Sequence, residues 1–179
     1  MENHVNISGG KVQGFIQENY GTVNQYLSSQ VPRSPDPNML FNKGIQLLEA
    51  KSYQQSINLL KDAIKTDPSV SHVYYYLALA LLRGRRPKIL KRSEIEEIDQ
   101  FLTTATAMGD SDANIQWFRA LVRDDYYNGN RMKCPPPSVA NILESIHPSE
   151  TDIDRLRILL AKLPMTDNQL YIELIKQIS

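Results

Sequence analysis

Residues 38–68 read NMLFNKGIQLLEAKSYQQSINLLKDAIKTDP, two helical stripes on either side of a short break. Leu40, Gly44, Leu47 and Leu48 recur at helical spacing and share one face. Ala50-Lys51-Ser52 interrupts the pattern, and Ser52 with Gln55 predicts a capping box that opens a second helix. Ile57, Leu60, Ala63 and Ile64 stripe that helix, and Asp67-Pro68 closes it because proline cannot continue the hydrogen-bond ladder. Two amphipathic helices joined this closely fold back on one another and bury their stripes face to face. That hairpin constrains the rest of the chain.

The pattern recurs. Tyr74, Leu77, Ala78 and Leu81 repeat the first helix, an interruption RGRRPKILKR occupies 83–92, and Ser93 with Glu96 predicts the next capping box. Ile95, Ile98, Phe101, Leu102 and Ala105 stripe the partner helix, and Gly109-Asp110 takes the place of Asp67-Pro68. A third copy begins near Ala113, with Trp117, Ala120 and Leu121. It is broken by NGNRMKCPPPS at 128–138 before a short helix over 139–146. Two more helices are expected. Residues 151–163 bury Ile153, Leu156, Leu159 and Leu160. Residues 167–178 carry Leu170, Ile172, Leu174, Ile175 and Ile178, with Thr166 and Gln169 as capping box. An open stack must cover its last apolar face, so this pair is expected to cap the end.

Gly44, Tyr53, Leu60, Ala63 and Asp67-Pro68 sit at spacings that resemble a tetratricopeptide repeat, with Ser56 where that family prefers alanine. From Pro68 to Asp110 is 42 residues, which is the family's period of about 34 plus an insertion of about eight. The resemblance covers roughly 38–146. The inserted form, DDYY-x-G ahead of a proline triplet, is similar to tetratricopeptide proteins of cyanobacteria. The resemblance implies an all-α solenoid of antiparallel helix pairs, about three degenerate repeats plus capping helices. It also implies a concave groove lined by the first helix of each pair. Phe41, Ile45 and Leu48, then Tyr75, Leu79 and Leu82, then Trp117 and Leu121 fall on that face. Such a groove suits an extended peptide or a helix, although several of these residues would equally serve as core. The family's clamp for chaperone tails uses basic and asparagine residues there. Phe41 and Ile45 replace two of them, which argues against a co-chaperone.

Ahead of the helices, residues 1–30 are polar and rich in Gly, Asn and Gln, and 31–37, VPRSPDP, form a proline-rich linker to the helical domain 38–179. The first segment holds a near-repeat. Gly10, Val12, Gln13 and Phe15 are echoed eleven residues later by Gly21, Val23, Asn24 and Tyr26. β-branched residues between glycines predict short strands, and a turn near 18–21 would stack the two copies as a hairpin or as rungs. This short arm resembles Gly- and Asn/Gln-rich motifs at the ends of bacterial NOD-like signalling proteins, which pair receptor with effector. A disordered polar tail is the other reading.

The 179 residues are 41% hydrophobic, 22% charged and formally neutral. Neutrality removes any global argument for nucleic-acid or membrane binding but leaves local patches. The single cysteine, Cys134, permits no intrachain disulfide, and no apolar run approaches a membrane span. A cytoplasmic protein without cofactor is expected. His4, His72 and His147 form no metal-ligand spacing, and no nucleophile elbow, Walker loop or dinucleotide fingerprint occurs. The interruption concentrates Arg83, Arg85, Arg86, Lys88, Lys91 and Arg92, which would hold an anion or an acidic partner. The acidic run Glu94, Glu96, Glu97 and Asp99 would equally neutralise them. The chain therefore reads as a non-enzymatic adaptor that binds a protein through its groove and assembles through 1–30. A self-assembling structural subunit, or an anion- or nucleic-acid-binding module at 83–92, are the alternatives.

Overall fold

The computed structural model describes residues 35–108 and 112–178, within the second of the two units into which the chain divides, Pro35–Ser179. Gly10, Val12, Gln13, Phe15, Gly21, Val23, Asn24 and Tyr26 lie outside the described residues, as does Gly109-Asp110. Among the described residues the fold has eight α-helices and no strand. They are α1 Pro37–Glu49, α2 Tyr53–Thr66, α3 Ser71–Leu82, α4 Arg92–Ala107, α5 Ala113–Arg123, α6 Val139–Glu144, α7 Ile153–Lys162 and α8 Gln169–Ile178. A π-helical turn, Asp124–Asn128, extends α5, and short 3-10 turns occupy Pro87–Ile89 and Pro148–Glu150.

Helices adjacent in sequence pack side by side from α1 through α6. The first hairpin shows why. An added Cβ on Gly44 would lie 2.9 Å from the Leu60 side chain, so only glycine lets α1 and α2 approach this closely. Ser56 is buried, and its hydroxyl donates to the Gly44 carbonyl at 2.8 Å, a tie between helices that alanine would lack. Leu60, Leu77, Ile95, Ile98, Leu102, Ile115 and Phe118 are fully buried in one continuous apolar cluster.

The ends of the helices depart in detail from expectation. Helix α1 begins at Pro37, the last residue of the expected linker. Proline costs nothing there, because a first-turn N–H has no intrahelical partner, and Asp36 accepts from the Asn38 N–H at 2.9 Å. Ser52 does precede α2 but makes no side-chain cap. Helix α4 starts at Arg92 rather than after Ser93, with the Glu94 carboxylate accepting from the Lys91 N–H at 2.9 Å. Asn168 rather than Thr166 caps α8, accepting from the Tyr171 N–H at 2.8 Å. At α4 and α8 a nearby side chain, Glu94 or Asn168, takes a free N–H at the helix start instead.

The largest departure concerns the last two helices. They do not serve only as an end cap. Arg155 of α7 meets Asp112 at the start of α5, and Lys162, at its far end, meets Glu49 at the end of α1. Between them Leu159 lies beside Tyr75 and Leu79 of α3. Helix α7 therefore crosses the first helix of each of the three pairs.

Substituting Gly44→Ala is expected to lower stability by about 1–3 kcal/mol through overpacking, and Ser56→Ala by about 1 kcal/mol through loss of one hydrogen bond. Urea denaturation followed by circular dichroism would measure both. Equal stability of G44A and wild type would show that the helices are not held at this separation.

Candidate functional site

Placed in the fold, the eight residues expected to line a groove separate into two groups. Phe41, Ile45 and Trp117 are half-buried, whereas Leu48, Tyr75, Leu79, Leu82 and Leu121 are buried. Leucines Leu156, Leu159, Leu160 and Leu163, at and just beyond α7, belong to the same apolar cluster as Leu48, Tyr75 and Leu79. The helix thus supplies the apolar surface that a groove ligand would otherwise supply. Trp117 Nε1 donates to Thr151 Oγ1 at 3.2 Å just ahead of α7, and Phe41 stacks edge-on against Tyr76 with ring centroids 5.5 Å apart. Burial raises the phenol of Tyr75 far above its ordinary value, so it stays neutral.

Coverage by α7 is incomplete. A cleft of about 460 Å³ remains among the ends of α1 and α3 and the loop from α7 to α8. Leu48, Leu79, Leu82 and Leu163 give it an apolar wall, while Glu49, Lys51 and Lys162 bring charge. Gly84 stands at its edge with φ +65°, where an added Cβ would lie 2.6 Å from the Tyr53 hydroxyl. A second, smaller pocket of about 70 Å³ opens between Tyr75, Tyr76 and Leu79 on α3 and Arg155, Ile158 and Leu159 on α7.

The basic interruption is largely spent on internal bonds. Arg83 donates to Gln54 at 2.8 Å, Arg85 to Glu94 at 2.6 Å and Arg92 to Glu96 at 2.8 Å. The Lys91 N–H and Arg85 together hold the Glu94 carboxyl below its ordinary range. The acidic run thus takes up two of these arginines, while Glu97 turns to Lys61 and Asp99 to Arg119 and Arg123.

Arg86 makes the contact that local sequence could not announce. Its Nε and Nη2 donate to both oxygens of Asp125, at 2.7–3.0 Å, and the Lys88 N–H donates to the same carboxylate at 2.9 Å. Asp125 is fully buried, and its hydrogen bond is the first cause that raises the Arg86 pKa further. Arg86 also reaches Asp167, and Asn168 donates to Asp124 at 2.7 Å. This polar clasp joins the first interruption, the π turn and the α7–α8 loop. Asp124 and Asp125 diverge, as adjacent helical residues should. The Asp-Asp pair gave no sign of it, since adjacent acids are ordinarily both solvated.

A second hub holds the other interruption. Arg123 is 2% exposed. It donates to Asp99 at 2.6 Å, to the Pro137 carbonyl at 2.8 Å, and to the Pro135 carbonyl, with Cys134 Sγ at 3.3 Å. The peptide between Pro136 and Pro137 is cis.

Among the described residues no group of His, Cys, Asp and Glu is arranged to hold a metal ion, and no helix is long and apolar enough to cross a membrane. Comparison of the chain with family models, with curated proteins and with solved structures gives no match.

Removing one partner of a buried, fully bonded pair strands the other charge. Asp125→Ala is expected to cost about 3–5 kcal/mol, whereas Asp167→Ala, at a carboxylate 67% exposed, should cost no more than about 1 kcal/mol. Chemical denaturation of the two variants would measure the difference, and equal losses would contradict the central place of Asp125.

Proposed function

We propose that this chain is a non-enzymatic adaptor whose helical stack binds a protein partner. The observation that carries the reading is the cleft beside α7. Its leucine wall and its bordering Glu49, Lys51 and Lys162 offer both anchoring and orientation to an extended segment. The close Gly44–Leu60 contact and the side-by-side order of the helices support the tetratricopeptide-like description. On this reading the partner does not fill the whole face once assigned to a groove. It occupies what α7 leaves open.

Residues 1–30 complete the proposal as the recruiting element. Val12 and Val23 stand at equivalent places in the doubled motif, and like-with-like contact there would join the adaptor to a second chain, in a bacterial signalling or immune setting.

Ala161 is exposed on the cleft wall, so Ala161→Trp fills the space without disturbing the core. Partner affinity, measured with a protein retained by the wild-type chain, is expected to fall about tenfold or more at an unchanged melting temperature. Unchanged affinity would place binding elsewhere. Val12→Asp with Val23→Asp is expected to abolish recruitment of a second chain while leaving the helical circular dichroism intact. Recruitment that survives both changes would remove the motif from the mechanism.

A further inference from the structure

The two interruptions meet beside the buried Asp125. Asn130 Nδ2 donates to the Lys88 carbonyl at 3.0 Å, and an added Cβ on Gly129 would lie 3.3 Å from Lys88 Cδ. Ile89, next to Lys88, is 69% exposed, and Met132, two residues past Asn130, is 40% exposed. Each apolar side chain stands between cations, in Lys88-Ile89-Leu90-Lys91 and in Arg131-Met132-Lys133. The nearby acids are engaged. Asp125 is taken by Arg86, Glu94 by Arg85, Glu96 by Arg92, and Asp124 by Asn128 and Asn168. Lys88, Lys91, Arg131 and Lys133 form no ion pair among the described residues. The backbone that presents them is tied. The Lys88 N–H is held by Asp125, the Met132 N–H donates to the Tyr127 carbonyl at 2.8 Å, and the Leu90 N–H donates to Pro87 at 2.9 Å.

We propose that this strip docks an acidic protein segment in which carboxylates alternate with apolar side chains. Four cations without an ion pair, flanking two exposed apolar residues in sequence on loops joined by the Asn130–Lys88 bond, are the complement of such a sequence. Because the loops are already ordered, binding sacrifices little further backbone freedom. A bilayer fits less well, since interfacial anchoring favours Trp and Tyr, and both tyrosines of the π turn, Tyr126 and Tyr127, are buried. Single-stranded nucleic acid wants exposed aromatic platforms, which the described residues of these two loops do not present. The surface is separate from the cleft beside α7, so it adds a contact to the adaptor reading rather than depending on it. It also moves the anion-binding role from the arginines of 83–92 to two lysines there and two cations of the second interruption.

The test uses the full chain and a fluorescein-labelled peptide of repeated Glu-Leu-Asp-Leu, followed by anisotropy at low salt. Neutralising the strip with Lys88→Gln, Lys91→Gln, Arg131→Gln and Lys133→Gln is expected to weaken binding about tenfold or more. Ile89→Ser with Met132→Ser is expected to weaken it about three- to tenfold while leaving the salt dependence in place. Melting temperature confirms that both variants are folded. No binding by the wild-type chain, or binding indifferent to the Gln variant, overturns the proposal. Loss with the Gln variant alone reduces the strip to a general anion site and overturns the acidic-apolar segment. Tighter binding of phosphatidylserine–phosphatidylcholine vesicles or of an oligothymidine at the same ionic strength overturns it in favour of those classes. If the peptide fails while Ala161→Trp still weakens the cleft partner, this inference falls and the adaptor reading stands.

Discussion

The Arg86–Asp125 pair organises the irregular half of this molecule. Each interruption between helices adds residues whose ordering costs about 1–2 kcal/mol apiece in backbone entropy. Left alone, such loops would be mobile. Here one buried carboxylate accepts four hydrogen bonds, three from the Arg86 guanidinium and one from the Lys88 N–H, and so fixes a loop that lies 39 residues away in sequence. Buried ion pairs contribute little net stability over an apolar alternative, but they tolerate only one arrangement. Arg86 also bonds Asp167, and neighbouring Asp124 accepts from Asn168, so the α7–α8 loop is tied to the same place.

The regular half rests on a different constraint. Gly44 removes a Cβ, Leu60 fills the space, and Ser56 ties the backbone of α1 to α2. These three residues show why sequence revealed the hairpin so well. Helical period, a short break and one small residue are local properties, and the packing they imply involves neighbours in the chain. The exact caps were less legible because their chemistry is degenerate. Ser52, Ser93 and Thr166 all have the right side chain, yet Glu94 and Asn168 reach the free N–H groups instead at two of the three sites.

The face expected to form a groove gave no local sign of what covers it. Tyr75, Leu79 and Leu121 carry the spacing of a helix face, but spacing does not say what lies over the face. The answer depends on α7, whose Arg155 and Lys162 find Asp112 and Glu49 at distances in sequence that no local pattern encodes. The basic loop failed to declare its purpose for the same reason. Six cations followed by four acids suggested mutual neutralisation, and Arg85 and Arg92 do obey it. Arg86 ignores the nearby acids for Asp125 because a buried carboxylate without a partner would be far more costly than an exposed one.

Helix α7 solves a problem that a short stack creates for itself. Three helix pairs leave an apolar face too large to remain wet, since patches beyond a few hundred Å² promote association. Leu156, Leu159 and Leu160, laid against that face, are buried. The remaining opening is bounded on one side by Leu163, Pro164 and Thr166, and the next residues, Asp167 and Asn168, bond to the clasp. The wall of the cleft and the support of the inserted loops are therefore one short segment of chain.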